Sequence, residues 1–181
     1  MQRCPGSALD WNTVAVARRG MTGRAVEALA GLGRFRNTRY PQVLVGSIPE
    51  PAADQVAAYG RVAELAACLE RLLPLERSLP FERADVTETL CAALESEAER
   101  VAGASFYVRA RLRGLEGLLE ARAAERTIGG FLVDRTSGLG RPATVRFDDP
   151  DFVLMIEVVE RRVGYGFLDR RVRSVPLVRP R

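Results

Sequence analysis

The stretch from Ser105 to Arg113 alternates between apolar and polar side chains, which is typical of a strand with one buried face. Its apolar positions would point one way and its cationic ones the other, namely Arg109, Arg111 and Arg113. Because a strand rises by about 3.3 Å per residue, neighbours in this arginine row would lie roughly 6.6 Å apart. Such a row could bind the phosphates of a nucleic acid. The alternative is a solvated face whose arginines pair with Glu157 or Glu160 on a neighbouring strand.

Further arginines are candidates for the same surface. Arg122 and Arg126 lie four residues apart and would share a helix face, where they could either extend the basic surface or pair with Glu125. Arg135 and Arg141 flank the Gly-containing segment 136–140, part of a loop expected over 136–142, which could approach a phosphate or serve only as a flexible connector. The candidates near the end of the chain are Arg170, Arg171 and Arg173, in a dense basic run.

The basic residues number 27, and all of them are Arg, in a chain of 181 residues with a net charge of +4. Arginine stays charged at physiological pH, and its planar fork matches phosphate geometry. A GC-rich genome also favours arginine over lysine, so the count alone says little. The positions of the arginines therefore carry the inference.

The residue types argue against catalysis. The chain has no His and no Lys, which excludes His-dependent triads and His-based zinc sites. Asp148, Asp149 and Asp151 could suggest Mg²⁺, but aspartates around Pro150 are typical of a hairpin turn. Gly164-Tyr165-Gly166 has no following helix that would make it a nucleotide fingerprint. We therefore expect no enzyme activity, no metal and no cofactor.

The cysteines indicate a reducing compartment. Cys4, Cys68 and Cys91 form no CxxC pair, which argues against a secreted disulfide framework. No apolar run approaches the roughly 18 residues needed to span a bilayer, and the N-terminus lacks a signal-peptide core. The sequence predicts a cytoplasmic protein without membrane contact, and it leaves the oligomeric state open.

The first half, residues 1–80, predicts a small ferredoxin-like α/β unit in the order β-α-β-α-β. The expected strands are residues 12–18, a short one beginning in 34–40, 42–48 and an edge strand at 75–81. The expected helices are 21–32 and 54–72, the second stopped by Pro74.

The second half, residues 81–181, predicts a further α/β domain around a central mixed sheet. A helix to about Ala102 precedes the arginine strand, and a helix over 115–128 follows it, closed by Gly129-Gly130. Strands are expected at 143–147, 152–160 and 163–168. The apolar run from Phe152 to Val159 indicates a central strand covered on both faces.

The second half resembles a THUMP domain, the RNA-binding module of several tRNA-modifying proteins. The residues that carry the resemblance are Phe106–Arg111, Glu125–Gly130, Val145–Asp151, Ile156–Val158 and Val163–Gly166. Over about residues 11–173 the chain is similar to stand-alone THUMP proteins that have an N-terminal ferredoxin-like unit and act as adaptors in tRNA acetylation.

The resemblance implies a non-catalytic tRNA-binding protein. It would present tRNA, through the 3′ acceptor end, to a separate modifying enzyme, and an RNA cytidine acetyltransferase that forms N4-acetylcytidine is the expected partner. Tyr107 and Phe106 could offer a stacking surface for a terminal base, unless Phe106 belongs to the core. The alternative is an α/β protein-interaction module that binds no RNA.

Overall fold

A computed structural model describes residues 10–82 and 85–180. The first part of the chain builds a four-stranded sheet with helices on it. Its elements are β1 (Thr13–Ala17), α1 (Thr22–Leu29), β2 (Arg34–Asn37), β3 (Val43–Ser47), α2 (Ala52–Tyr59), α3 (Ala63–Cys68) and β4 (Leu69–Pro74).

The first sheet has the strand order β2-β3-β1-β4, and every neighbouring pair in it is antiparallel. This is the ferredoxin-like arrangement, in which α1 connects β1 to β2, and α2 and α3 connect β3 to β4. The ferredoxin-like unit predicted for this part of the chain is confirmed in its architecture.

The single helix expected over residues 54–72 is wrong. The helix α2 ends at Tyr59, α3 ends at Cys68, and the chain then turns into β4. The Leu/Arg-rich composition of this segment suits a helix in isolation. Pairing with β1, where Leu72 lies opposite Ala15 and Leu73 opposite Val14, outweighs that local preference.

The second part of the chain surrounds a five-stranded mixed sheet in the order β5-β9-β8-β6-β7. Its strands are β5 (Arg77–Pro80), β6 (Ser105–Leu112), β7 (Thr144–Val145), β8 (Phe152–Val159) and β9 (Arg162–Asp169). Its helices are α4 (Val86–Leu94), a 3-10 turn (Ala98–Val101), α5 (Ala121–Gly138) and α6 (Arg170–Arg173). The strand β6 runs parallel to β7 and β8, whereas β9 is antiparallel to β8 and β5.

The strand β5 belongs to this second sheet. The sequence had predicted it as an edge strand of the first unit. Arg77 to Pro80 pair with Tyr165 to Arg162 of β9. The predicted division into residues 1–80 and 81–181 stays a prediction, but the pairing of β5 carries the second sheet back to Arg77.

The helix after the arginine strand differs most from expectation. It begins at Ala121 and continues through Gly129-Gly130, which were predicted to end it, as far as Gly138. Ala124, Ile128, Leu132 and Thr136 are all buried at a spacing of four residues, so one buried and mainly apolar stripe continues past both glycines. Each glycine costs about 1 kcal/mol relative to Ala in a helix, and burial of this stripe outweighs that cost.

The strand β8 is covered on both faces, as predicted. Val153, Met155 and Val159 belong to a core that also contains the first sheet and its helices. Leu154, Ile156 and Val158 belong to a second core with residues of α4 and α5. One face of the second sheet therefore packs against the first sheet, and the other packs against its own helices.

No helix in the described part of the chain is long and apolar enough to cross a membrane. Within residues 10–82 and 85–180, no group of three or more His, Cys, Asp or Glu side chains is placed to hold a metal ion.

Candidate nucleic-acid interface

The strand β6 presents two different faces, as its alternation predicted. Phe106, Val108 and Ala110 are buried in the core that it shares with α5. The other face follows the register with β8, where Tyr107 lies beside Val153 and Arg111 beside Glu157. Since Val153 packs toward the first sheet, the arginine row lies on the face that looks toward that sheet, where Arg113 is largely buried and Arg109 stays exposed at the other end.

A buried charge cluster forms on this face. The Glu157 side chain is completely buried, and Arg113 Nη1 donates a hydrogen bond to its Oε2. Arg111 Nε lies 3.9 Å from Glu157 Oε1. Arg71, on β4 of the first sheet, is 8 % exposed; burial lowers the pKa of its guanidinium, and Glu157 opposes that shift. We call Arg71, Arg111, Arg113 and Glu157 the interface charge cluster.

The pairing with Glu157 that the sequence left open is thus found for Arg111 and Arg113. Burial also lowers the pKa of Arg111, with the Glu157 carboxylate again acting in the opposite direction. Glu160, the other carboxylate considered for the arginine row, pairs instead with Arg36 of β2 at 3.0 Å. Two members of the row therefore neutralise a carboxylate between the sheets.

Arg109 is the most exposed member of the row, with 47 % of its side chain accessible. Its Nη1 lies 3.8 Å from Glu125 Oε1. The Glu125 carboxylate also accepts a hydrogen bond of 2.9 Å from the Ala110 N–H, so it satisfies a backbone donor at the edge of β6. Arg109 thus sits where β6 meets α5.

A cleft of about 440 Å³ opens at this junction. One side is lined by β6 from Phe106 to Arg109. Another is lined by the first turns of α5, with Arg122, Glu125 and Arg126. Gly129 and Gly130 continue the helical wall, and Val145 and Phe147 close the third side. We call this site the β6–α5 cleft.

The cationic side of the β6–α5 cleft comes from the helix. Arg122 and Arg126 are both exposed on one face of α5, four residues apart, as the sequence predicted. Together with Arg109 they bring three guanidiniums to a site whose lining includes one carboxylate, Glu125. The local balance is therefore positive, which suits an anionic ligand.

The aromatic side of the cleft comes from Phe147 and Tyr107. The Phe147 side chain is 78 % exposed, and its ring centroid lies 5.7 Å from that of Tyr107 at an angle of 36°. Phe106, the other proposed stacking residue, is fully buried in the core. Sequence reasoning missed Phe147; the available signal was an aromatic residue directly before the Asp148-Asp149-Pro150 turn, where solvent exposure is expected.

The basic run near the end of the chain is engaged within the protein. Arg170 pairs with Asp149 at 3.3 Å and with Asp151 at 3.0 Å, and Arg171 pairs with Asp54 of α2. Arg173 donates to the carbonyl of Pro150 and lies 3.8 Å from Asp149. The run forms α6 and is followed by buried Val175, Leu177 and Val178. An RNA contact by these arginines stays a prediction and would compete with ion pairs already present.

Arg135 lies away from the cleft and pairs with Glu95 of the loop after α4. Thr136 is buried within α5, and its hydroxyl donates to the Leu132 carbonyl at 2.8 Å, so the loop expected over 136–142 begins only after Gly138. Asp151 accepts hydrogen bonds from the Ser105 N–H at 2.9 Å and from its hydroxyl at 2.6 Å. These bonds lower the pKa of the Asp151 carboxyl and fit a structural role at the turn.

No protein-family model matches the chain, and no curated protein matches it by sequence. Several solved structures share its fold. PH1313 from Pyrococcus horikoshii Ot3 is 15 % identical with a TM-score of 0.58, and the match covers 87 % of this chain and 54 % of that one. TrmN from Thermus thermophilus is 21 % identical with a TM-score of 0.61, covering 87 % of this chain and 45 % of that one.

A 4-thiouridine synthetase solved as an RNA complex with bound ATP is 14 % identical with a TM-score of 0.53. That match covers 87 % of this chain and 41 % of that one. The chain thus spans about half the length of these proteins or less. These likenesses show a shared fold, and they confirm the predicted α/β class with its ferredoxin-like unit followed by a mixed-sheet domain.

Proposed function

We propose that this chain is a non-catalytic tRNA-binding protein that presents the 3′ acceptor end of tRNA to a separate RNA-modifying enzyme. A cytidine acetyltransferase that forms N4-acetylcytidine is the proposed partner, by the resemblance to stand-alone THUMP proteins. The observation that carries RNA binding is the β6–α5 cleft, where three arginines and an exposed phenylalanine surround an open site.

The composition of the cleft suits single-stranded RNA better than a duplex. Arginine contacts to phosphates supply affinity without sequence information. An exposed aromatic ring offers a platform for an unpaired base, and unpaired bases occur in loops and at chain ends. A tRNA acceptor end carries such a single strand next to a duplex stem. Its unpaired bases can stack on the aromatic ring, and its phosphates can contact the arginines.

The comparisons support the proposal through the fold. One of the structures that share it was solved with RNA bound, and others are described as methyltransferases or methylases. Those proteins are about twice as long as this chain, so their activities do not transfer with the fold. Absence of catalysis is proposed because the chain has no His or Lys and no cofactor motif, which would leave acid–base chemistry to carboxylates that the sequence does not pair.

A second candidate is an α/β protein-interaction module that binds no RNA. It is favoured by the internal pairing of much of the predicted basic surface, since Arg111, Arg113 and Arg170 all contact carboxylates of the same chain. Paired arginines contribute less to a polyanion surface than their number suggests.

The two candidates are separated by tRNA binding measured across a salt series, with intact tRNA and with tRNA lacking its single-stranded 3′ end. The proposed function predicts affinity that falls steeply with salt and falls again on 3′ truncation. Intact tRNA that shows no salt-sensitive binding at low micromolar protein would favour the protein-interaction module. Because an adaptor can require its enzyme, the series includes the purified acetyltransferase as a second condition.

A further inference from the structure

Two adjacent glycines lie in the middle of α5 without a packing reason. Gly129 and Gly130 occur in the interior of an 18-residue helix, where alanine is more favourable. A Cβ on Gly129 would lie 3.8 Å from Val108 Cγ2, which is ordinary contact, and a Cβ on Gly130 would meet nothing within 4 Å. Both residues have helical backbone and line the β6–α5 cleft. The missing side chains therefore leave the cleft open without improving the packing of the helix.

The edge of β6 is also left open beside these glycines. The strand β7 pairs with β6 only at Ser105 and Phe106. Farther along the strand, the Ala110 N–H donates a hydrogen bond to the Glu125 carboxylate. Backbone groups of alternate residues point to the same edge of a strand, so those of Val108 point toward the cleft between the two covered positions.

The third feature is the exposed ring of Phe147. It is the most exposed large apolar side chain in the described part of the chain, at 78 %. It lines the cleft together with Arg122 and Arg126, and its ring lies beside that of Tyr107. A volume of about 440 Å³ lies within the usual range of small-ligand pockets, roughly 300–1,000 Å³.

We infer that the β6–α5 cleft takes one unpaired nucleotide, which refines the proposed function and rests on it. The base stacks on Phe147, and its polar edge bonds to the backbone of Val108 at the open edge of β6. The adjoining phosphates lie against Arg122 and Arg126 on α5. Gly129 and Gly130 provide the space into which the nucleotide fits.

The test compares a short single-stranded RNA with a blunt RNA duplex that carries the same number of phosphates, at one salt concentration. Two variants disturb the cleft: Phe147→Ala removes the stacking platform, and Gly130→Leu puts a side chain at its wall. Two matched controls lie elsewhere. Leu118→Ala removes an apolar side chain that is 63 % exposed, and Gly138→Leu changes a glycine of the same helix that also has open space.

The inference predicts that Phe147→Ala and Gly130→Leu each weaken single-strand binding by about tenfold, the loss expected from one base–aromatic stack. Duplex binding and both controls should stay within about twofold of the unmodified chain. Thermal melting checks that each variant is folded, and Phe147→Ala decides alone if Gly130→Leu does not fold.

Unchanged single-strand binding by Phe147→Ala, in a chain that still binds tRNA, would overturn the nucleotide site and leave the proposed function standing. Equal losses for single strand and duplex would overturn it too, because the cleft would then act as a general phosphate contact. A chain that binds neither RNA nor tRNA would overturn both.

Discussion

The guanidinium of Arg113 bonds to the fully buried carboxylate of Glu157, one strand away in the second sheet. Arg71 of the first sheet interacts electrostatically with the same carboxylate, which opposes the lowering of its guanidinium pKa by burial. The arginine row, which the sequence presents as a surface for RNA, therefore contributes at one end to the contact between the two sheets. Its exposed end, at Arg109, contributes to the β6–α5 cleft.

Replacing Glu157 with Ala should destabilise the chain strongly. The change leaves Arg71, Arg111 and Arg113 close together without their shared carboxylate, and removing one partner of a buried ion pair costs about 3–5 kcal/mol. Urea unfolding measures the free energy of unfolding. The control is Glu95→Ala, which breaks the exposed pair with Arg135 and should cost no more than about 1 kcal/mol. Similar losses for both variants would contradict a buried role for Glu157.

Charge reversal should affect folding at one end of the arginine row and RNA binding at the other. Arg113→Glu places a second carboxylate beside Glu157, where 16 % of the arginine side chain is exposed, and should prevent stable folding. Arg109→Glu, at a side chain that is 47 % exposed, should leave the melting temperature nearly unchanged and weaken RNA binding. Melting and RNA titration on both variants test this. A stable Arg113→Glu variant would show that the interface charge cluster contributes little to stability.

Neutralising the helical wall of the cleft should change the salt dependence of RNA binding. The double variant Arg122→Gln and Arg126→Gln should lower the slope of log affinity against log salt by roughly 1.4–1.8, if both contact phosphates. The matched control is Arg19→Gln with Arg34→Gln, which removes the same charge from two exposed arginines outside the cleft. An equal change in slope for both pairs would indicate attraction by net charge alone.

Two glycine substitutions should move stability in opposite directions. Gly129→Ala should raise the free energy of unfolding by about 0.5–1 kcal/mol, because alanine favours the helix and its Cβ would make only ordinary contact. Gly114→Ala should lower it, since Gly114 has φ +82° and a Cβ there would lie 2.4 Å from the Tyr40 hydroxyl. Urea unfolding of both variants is the measurement. A destabilised Gly129→Ala variant would mean that α5 packs more closely on β6 than the structure shows.

The turn carboxylate Asp151 should contribute to acid sensitivity. Its hydrogen bonds from Ser105 lower the pKa of the carboxyl below its ordinary value of 3.8. A lowered folded-state pKa gives stability that is present above the unfolded value and is lost as the pH falls through the folded value. Melting temperatures between pH 7 and pH 2 should therefore show the unmodified chain losing its advantage over Asp151→Asn only below about pH 4. A constant difference across that range would argue against the titration.

Much of the fold follows from periodicity that is visible in the sequence. The alternation from Ser105 and the apolar run from Phe152 were sufficient to predict β6, β8 and the double covering of β8. Periodicity gave the wrong element where the local conformational preference of a segment differs from what its tertiary contacts stabilise. Leu69–Pro74 is helical in composition but is a strand because β1 offers a partner, and Gly129-Gly130 stay helical because the apolar stripe of α5 continues past them.

The candidate site divides in the same way. Arg109, Arg122 and Arg126 were predicted from spacing along one strand and one helix, and the structure brings all three to the cleft. Phe147 was missed because nothing in its local sequence indicates that it lies next to Tyr107. That proximity depends on the parallel pairing of β7 with β6, which joins segments about forty residues apart in the chain.

The sequence by itself determined which side chains of β6 share a face, because the alternation of a strand is a local property of the backbone. Only the tertiary structure decided what lies against the cationic face. Glu157 arrives through the register of β8, and Arg71 arrives through the packing of the two sheets. Burial and pairing of a charge depend on these distant segments, and so one arginine row serves the protein interior at Arg113 and a solvent-facing cleft at Arg109.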